Sequence, residues 1–245
     1  MDTRDDLTKT TINRYRGTLS MIFQEAIRNG KASTNPARLV RLYKENNARV
    51  RFISYAEEAE IRSVIRERCP SHEPEFTLAL ETGMRRGKQY SLEWDRVDLE
   101  RRQILLLRTK NGSARVVILT TAAVKALREM RSCGNSASVC STRYGEPMVS
   151  PRAWFELVIA DAIKQNPVLK DVTWHIFRHT YISRLVMAGV DLKTVQELAG
   201  HKDIKMTMRY AHLAPAHKLA AVDRLSEYRF EQEQKELSPV TAPPG

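Results

Sequence analysis

The chain has 245 residues with 40 Lys and Arg against 29 Asp and Glu, a formal net charge of +11, and 42% of its residues are apolar. This apolar share excludes a disordered chain, and the longest stretch without a charged residue, 132–142, is shorter than the roughly 20 residues of a membrane-spanning helix. The positive charge indicates either a polyanionic partner, foremost nucleic acid, or a surface that simply keeps the chain in solution.

The three cysteines are Cys69, Cys133 and Cys140, an odd number without CxxC spacing. They indicate neither a disulfide framework nor a zinc ribbon, so a reducing cytosol is the expected compartment. No apolar stretch follows Met1, and no secretory signal is therefore expected.

The first predicted element is an amphipathic helix over residues 8–29, with Gly30 as its stop. Its apolar positions recur with helical spacing: Ile12, Tyr15, Leu19, Ile22, Phe23, Ala26 and Ile27. Residues 37–50 are basic and polar and predict a linker, which places a domain boundary near residue 48. Residues 1–47 are too few for a stable free-standing domain, and they are expected to be the end of a larger domain.

Helices and one hairpin are predicted for the next part of the chain. Ser54 and Glu57 form a capping box that opens a helix to about Arg68. A second helix runs from Pro74 to near Gly83, and a third runs over residues 85–94. The apolar runs 104–107 and 116–119 flank Lys-Asn-Gly-Ser, a strong hairpin signal.

Helices dominate the rest of the chain, and residues 48–236 are predicted to form one domain. The predicted helices cover residues 121–131, 151–165, 174–188, 191–199, 203–212 and 215–236, and residues 237–245 are expected to be disordered. The chain has only 10 Gly, which also favours a helix-rich fold. The predicted fold class is mainly α with a small antiparallel β-sheet.

Four pieces of sequence could carry chemistry. Arg85 follows the Gly83 stop, and Lys110 stands at the hairpin tip. His175 and Arg178 lie on one face of a helix because they are three residues apart. His201 precedes Tyr210 by nine residues. Each piece alone is typical of an exposed charge or a packed side chain.

Together the pieces resemble the catalytic domain of the tyrosine recombinases, also called phage-type integrases. The matching stretches are residues 79–94, Thr109-Lys110-Asn-Gly, Trp174-His175-Ile-Phe-Arg178-His179-Thr180, Leu198-Ala-Gly-His201 and Met208-Arg209-Tyr210-Ala-His. The resemblance extends from about residue 8 to residue 225. It implies a catalytic domain over residues 48–236, and residues 1–47 resemble the latter part of a core-binding domain. The chain then resembles a fragment or a naturally shortened protein.

The resemblance also implies a role for each candidate residue. Tyr210 is expected to attack a DNA phosphate and form a 3′-phosphotyrosine with a free 5′-hydroxyl. Arg85 and Arg178 are expected to clamp the phosphate, and His201 is expected to donate a further hydrogen bond to it. His175 is expected to accept the tyrosine proton in cleavage or to return it in resealing, and Lys110 is expected to protonate the leaving 5′-oxygen. Neither ATP nor a metal nor another cofactor is expected.

Two features depart from simple matches. Lys88 stands where the family usually has an acidic residue, which leaves the local stability around Arg85 and the choice between Arg85 and Arg86 open. His175 and His179 have the i, i+4 spacing of zinc-binding helices, but residue 176 is Ile, where a metalloprotease has its catalytic Glu. His179 is therefore interpreted as a packed or supporting residue.

The predicted function is site-specific DNA recombination in the integration or excision of a mobile element. The alternatives are a type IB topoisomerase-like or resolvase-like enzyme, and a catalytically silent DNA-binding relative. The expected partners are double-stranded DNA, further copies of the chain in a tetrameric synapse, and accessory DNA-bending proteins. The expected location is the cytoplasm, in association with the nucleoid.

Overall fold

The computed structural model describes residues 7–44, 50–107, 114–132, 136–142, 144–214, 227–230 and 233. Lys110, Cys133, the tail 237–245 and most of the predicted helix 215–236 lie outside the described residues. The chain divides into two compact units, Met1–Arg49 and Val50–Gly245.

The first unit contains helix α1, Lys9–Arg28, and a short 3₁₀ turn at Pro36–Arg38. Thr8 caps α1 by accepting a hydrogen bond from the Thr11 amide, and Gly30 takes a positive φ of 67° just beyond the helix. The Asn35 side chain donates to the Ser20 carbonyl at 3.0 Å, which ties the turn to the helix. The predicted helix 8–29 is confirmed.

Three helices open the second unit: α2, Tyr55–Arg68; α3, Glu73–Thr82; and α4, Arg86–Tyr90. The predicted capping box at Ser54 and Glu57 is present at the start of α2. Helix α4 is shorter than the predicted helix 85–94, and that prediction was wrong at its end. Beyond α4 the backbone pairs with another segment, because the Val139 amide donates to the Leu92 carbonyl at 2.8 Å.

The predicted hairpin is confirmed, and it belongs to a three-stranded antiparallel sheet. The strands are β1, Val97–Asp98; β2, Gln103–Leu106; and β3, Arg115–Ile118, in the order β1-β2-β3. Strand β1 escaped prediction because two residues carry no readable periodicity. Leu106 pairs with Arg115 at the end of the hairpin that leads toward Lys110.

Five α-helices follow the sheet within residues 114–214: α5, Thr121–Ser132; α6, Arg152–Gln165; α7, Trp174–Met187; α8, Leu192–Ala199; and α9, Ile204–Met208. Helix α9 is half the length of the predicted helix 203–212. The Tyr210 amide donates to the Thr207 carbonyl at 2.9 Å, three residues back, and a 3₁₀ turn follows at Ala211–Leu213. Tyr210 therefore lies between two short helical segments.

Helix α7 runs through the apolar core and organises it. Its Phe177 is fully buried and packs edge-on against Phe76 of α3, while Ile182 and Val186 belong to a separate apolar cluster that includes Val195 and Tyr210. Another cluster joins the sheet to α3 and α5. The fold is mainly α with a small antiparallel sheet, as predicted. In the described part of the chain, no helix is long and apolar enough to cross a membrane.

Candidate active site

Arg178 of α7 connects the ends of two other helices. Its side chain is buried, and its two terminal nitrogens donate to the Gly83 carbonyl at 2.7 Å and the Ala199 carbonyl at 2.6 Å. These carbonyls lie at the C-termini of α3 and α8, where backbone acceptors lack helical partners and carry partial negative charge. The guanidinium thus supplies hydrogen-bond donors to carbonyls at both helix ends, and these two hydrogen bonds fix the position of the Arg178 side chain.

Two glycines make this arrangement possible. Gly83 and Gly200 end α3 and α8 with φ of 57° and 63°, in the left-handed region that favours glycine. A Cβ at Gly83 would lie 2.4 Å from the Tyr181 ring, and one at Gly200 would lie 2.2 Å from a terminal nitrogen of Arg115. Both positions therefore need glycine for the backbone conformation and for the close approach of a neighbour.

Arg115 is a site residue that the sequence analysis missed. It begins β3, and its Nη1 donates to the Leu198 carbonyl at 3.1 Å, next to the acceptor of Arg178. Burial and then the charge of Arg85 lower the pKa of Arg115. Its position five residues after Lys110 was the available signal, but the alternating burial of a strand does not show that its side chain reaches α8.

Positive charge is concentrated around Arg178. Burial, followed by the charges of Arg85 and Arg115, lowers the pKa of Arg178 to about 10, so its guanidinium stays charged at neutral pH. The three guanidinium groups come from α7, from the start of α4 and from β3. Among the described residues, Arg115 and Arg178 donate to neutral backbone carbonyls, so the cluster can attract an anion such as a phosphate.

Arg85 stands at the N-cap of α4, two residues after Gly83, with its side chain exposed. It lines an open groove together with Gly87, Thr173 and His175. Its charge, rather than that of Arg86, contributes to the lowered pKa values of Arg178 and His201. These effects favour Arg85 over Arg86, and α4 forms even though Lys88 occupies the usual acidic position.

His201 lies buried in the connection between α8 and α9. Its Nδ1 shares a hydrogen bond of 2.9 Å with the hydroxyl of Thr207, which is itself fully buried. Burial, followed by the charges of Arg178 and Arg85, lowers the pKa of His201 to about 4. The ring is therefore neutral at physiological pH, and Thr207 fixes its orientation.

Tyr210 is almost completely buried, with 2% of its surface exposed, and its hydroxyl forms a hydrogen bond with His179 Nδ1. Burial raises the pKa of Tyr210, although the charges of Arg209 and Arg178 oppose this effect. The hydroxyl consequently keeps its proton at neutral pH. The structure thus brings Tyr210 to the same helix that carries Arg178.

The two histidines of α7 have different surroundings. His175 is exposed, and its ring lies edge-to-face against that of His179 with 4.7 Å between centroids. His179 contacts the Tyr210 hydroxyl directly, which is compatible with its interpretation as a packed or supporting residue. Although His175 is exposed, neighbouring atoms partly desolvate its ring, and this effect, followed by the charges of Arg178 and Arg85, lowers the pKa of His175.

Lys110 lies outside the described residues, but the strands that lead to it are placed. Leu106 and Arg115 form the last pair of the hairpin, and Arg115 anchors this end to α8. Within the described ranges, no group of three or more His, Cys, Asp or Glu side chains is arranged to hold a metal ion.

The profile of the phage integrase family matches residues 44–217. The chain belongs to this family. As a phage integrase family member it is a DNA strand-cleaving and rejoining enzyme, so the predicted family and enzyme class are confirmed. A similar relative is the tyrosine recombinase XerC of Lacticaseibacillus casei, with 28% identity over 228 residues, which cover 87% of this chain and 75% of XerC.

Two solved structures share the fold. The Tn1549 transposon integrase in complex with transposon right end DNA has a TM-score of 0.72 at 22% identity, covering 90% of this chain and 81% of that chain. The lambda integrase dimer bound to a COC′ core site has a TM-score of 0.64 at 21% identity, covering 83% of this chain and 59% of that chain. At these identities the likeness concerns the fold.

Proposed function

We propose that this phage integrase family member carries out site-specific DNA recombination with Tyr210 as its nucleophile, in the integration or excision of a mobile element. The observation that carries the proposal is the convergence of the Tyr210 hydroxyl with the positively charged cluster formed by the buried Arg178, the partly buried Arg115 and the exposed Arg85. The hydroxyl lies close enough to Arg178 for their charges to influence each other's pKa. A nucleophile beside a ready phosphate site is the arrangement that phosphoryl transfer requires.

The proposed cleavage step exchanges one phosphoester for another. Tyr210 Oη bonds to the scissile phosphorus while the bond from phosphorus to the 5′-oxygen breaks, which leaves a 3′-phosphotyrosine and a 5′-hydroxyl. The 5′-oxygen of a partner strand then attacks the phosphotyrosine and reseals the backbone. Because the phosphoester is conserved throughout, the cycle needs no ATP.

Arg178 and Arg85 are assigned to the non-bridging phosphate oxygens. Arginine has five N–H donors, and the carbonyls of Gly83 and Ala199 take two of those of Arg178. The remaining donors can bind phosphate without disturbing the contacts that hold the side chain. Arg85 approaches from the exposed groove, where a DNA backbone has access.

His201 is assigned a hydrogen bond to the same phosphate. When the Thr207 hydroxyl donates to Nδ1, the proton of the neutral ring lies on Nε2, which becomes a donor. A neutral donor adds a hydrogen bond without adding another buried charge. The lowered pKa keeps the His201 ring neutral, as this donor role requires.

The partner is proposed to be double-stranded DNA, which matches the net charge of +11. We further propose a tetrameric synapse, in which self-association brings two DNA sites together, with accessory DNA-bending proteins. The unit Met1–Arg49 is assigned to the latter part of a core-binding domain and the second unit to the catalytic domain. Because its proposed substrate is DNA, we propose that the enzyme acts in the cytoplasm, in association with the nucleoid.

The proposal can be tested with DNA sites selected from a random duplex pool by binding to this chain. A nicked suicide substrate carrying the selected site should trap a covalent adduct on a denaturing gel. A plasmid with two such sites should then yield recombinants. Relaxed plasmid without recombinants would favour the topoisomerase-like alternative, and binding without an adduct would favour the silent DNA-binding relative.

Lys110 is predicted to be the general acid for the departing 5′-oxygen. An alkoxide is a poor leaving group because water-like oxygen acids have a pKa of roughly 15.7, whereas a thiol has a pKa of about 8.5. Lys110→Ala should therefore cleave ordinary DNA about 10²–10⁴-fold more slowly. It should cleave a 5′-phosphorothiolate substrate at nearly the rate of the unmodified enzyme.

Arg85→Ala is the comparison for this measurement, because its proposed contacts are non-bridging oxygens and sulfur in the bridging position should not restore its rate. If Lys110→Ala remains slow on the sulfur substrate, Lys110 positions DNA or stabilises charge, and another residue supplies the proton.

A further inference from the structure

The contact between His179 and Tyr210 gives the second histidine of α7 a part in the reaction. Among the described residues, His179 is the hydrogen-bond partner of the Tyr210 hydroxyl. His175 is exposed and stands one helical turn earlier, in the groove that Arg85 also lines. The two histidines thus have different neighbours: the Tyr210 hydroxyl for His179 and the groove lined by Arg85 for His175.

Both the backbone and the ring of Tyr210 are held in place by contacts within the fold. The Tyr210 amide donates to the Thr207 carbonyl, and the Tyr210 carbonyl accepts from the Leu213 amide, both at 2.9 Å. Its ring packs in the apolar cluster with Ile182 and Val195. Backbone and ring together hold the hydroxyl against His179, so this contact does not depend on a freely rotating side chain.

We propose that His179, rather than His175, accepts the Tyr210 proton as the tyrosine attacks DNA. The inference rests on the proposed function of Tyr210 as the nucleophile. In this step Oη bonds to phosphorus, its proton moves to His179 Nδ1, and the 5′-oxygen leaves with a proton supplied by Lys110. In resealing, the 5′-oxygen of the partner strand bonds to phosphorus and its proton passes to Lys110, while the bond between Tyr210 and phosphorus breaks and His179 returns its proton to Oη.

The surroundings of His179 suit a proton acceptor. Burial, followed by the charges of His175, Arg209 and Arg178, lowers the pKa of His179 to about 4, so the ring is neutral at neutral pH and carries a single N–H. When the Tyr210 hydroxyl donates to Nδ1, that proton lies on Nε2, and Nδ1 is the acceptor. A scissile phosphate bound near Arg178 brings negative charge that offsets this cationic field. His179 therefore becomes more basic when the substrate is in place, at the stage when the proton must leave Tyr210.

The geometry also suits different roles for the two histidines. His175 shares its groove with Arg85 and is positioned for the DNA backbone, whereas His179 lies on the inner side of the same pair. The two rings are in edge-to-face contact with 4.7 Å between their centroids, so each ring limits the movement of the other. His175 is then a phosphate-side group, and His179 serves the nucleophile.

The test separates basicity from hydrogen bonding by replacing His179 with Asn in the full chain. The Asn Oδ1 can occupy nearly the place of Nδ1 and accept the hydrogen bond, but it does not take up a proton. Adduct formation on the suicide substrate should slow about 10²–10⁴-fold, the usual contribution of a general base. DNA binding and the melting temperature should stay close to those of the unmodified chain.

A second variant, His179→Ala, opens space for a replacement base. Added imidazole should restore part of its adduct formation, but it should not restore His179→Asn, whose amide fills the site. His212→Ala is the matched control, because His212 is an exposed histidine two residues after Tyr210. Its removal should leave the rate unchanged.

The proposal is overturned if His179→Asn forms the adduct at the rate of the unmodified chain, because His179 then only positions the hydroxyl. It is also overturned if imidazole restores His175→Ala but not His179→Ala. Failure of the proposed function would give a different result. If Tyr210→Phe still forms the adduct, Tyr210 is not the nucleophile.

Discussion

Tyr210→Phe should abolish the covalent DNA adduct while leaving the fold and DNA binding intact. The substitution removes a single oxygen, the proposed attacking atom, and keeps the ring that packs with Ile182 and Val195. Its structural cost is the hydrogen bond to His179, about 1 kcal/mol. In a chain of this size that corresponds to a fall in melting temperature of roughly 2–4 °C.

The measurement is a denaturing gel of the suicide reaction together with a thermal unfolding curve. Tyr228→Phe is the control, because Tyr228 is 61% exposed and lies beyond the described site. It should retain the adduct. If Tyr210→Phe still forms one, the nucleophile is another tyrosine, and Tyr181 and Tyr228 become the next to replace.

Local signals predicted the parts of the fold that depend on neighbours in sequence. Ser54 and Glu57 satisfy each other's backbone amides, so the start of α2 could be read from two residues. Gly83 and Gly200 adopt the left-handed conformation that ends α3 and α8. The interactions that determine these positions span only a few residues, which makes them visible in the sequence.

The predicted helix ends were wrong where packing in the folded chain, rather than the local sequence pattern, determines where a helix stops. Helix α4 stops at Tyr90 because the following residues pair with the segment around Val139, nearly fifty positions away in the chain. Helix α9 stops at Met208 because the chain tightens into a 3₁₀ turn, which brings Tyr210 under α7. Apolar spacing is compatible with a longer helix in both places and carries no information about these tertiary contacts.

The same limit applies to the site. The i, i+4 spacing of His175 and His179 shows that they share a helix face, but it does not show which of them meets Tyr210, 31 residues beyond His179. Arg115 likewise looks like a strand residue, and its contact with the Leu198 carbonyl spans 83 residues. Motif resemblance pointed to the reaction, whereas the arrangement of its protons and charges required the folded chain.

Arg178 shows how the fold and the proposed chemistry depend on one side chain. Its fork holds the C-termini of α3 and α8 together, and those helix ends carry the loops that present Arg85 and His201. A phosphate bound by Arg178 therefore lies between two groups that the same residue positions. Stability and phosphate binding should respond together when Arg178 is changed, although not through the same atoms.

Arg178→Lys should slow cleavage by about 10³–10⁵, the range found when an arginine that stabilises phosphoryl transfer is lost. A single ammonium cannot span the Gly83 and Ala199 carbonyls and still present paired donors to phosphate. One helix end then loses its partner, which should lower the free energy of unfolding by about 1–3 kcal/mol. Single-turnover cleavage and thermal unfolding measure the two effects separately.

The residual activity of Arg178→Lys should also depend on pH. The same burial and neighbouring charges that lower the pKa of Arg178 to about 10 act on the new lysine, whose ordinary pKa is about 10.4, lower than that of arginine. A lysine is charged below its pKa, so this variant should cleave faster at pH 7 than at pH 9, by a larger ratio than the unmodified chain.

Arg184→Lys is the control on the same helix, because Arg184 pairs with Glu58 at 2.7 Å and lies over the Tyr55 ring. It should lose stability without a change in the cleavage rate or its pH dependence, and equal rate losses in the two variants would show that α7 stability, rather than phosphate binding, limits cleavage.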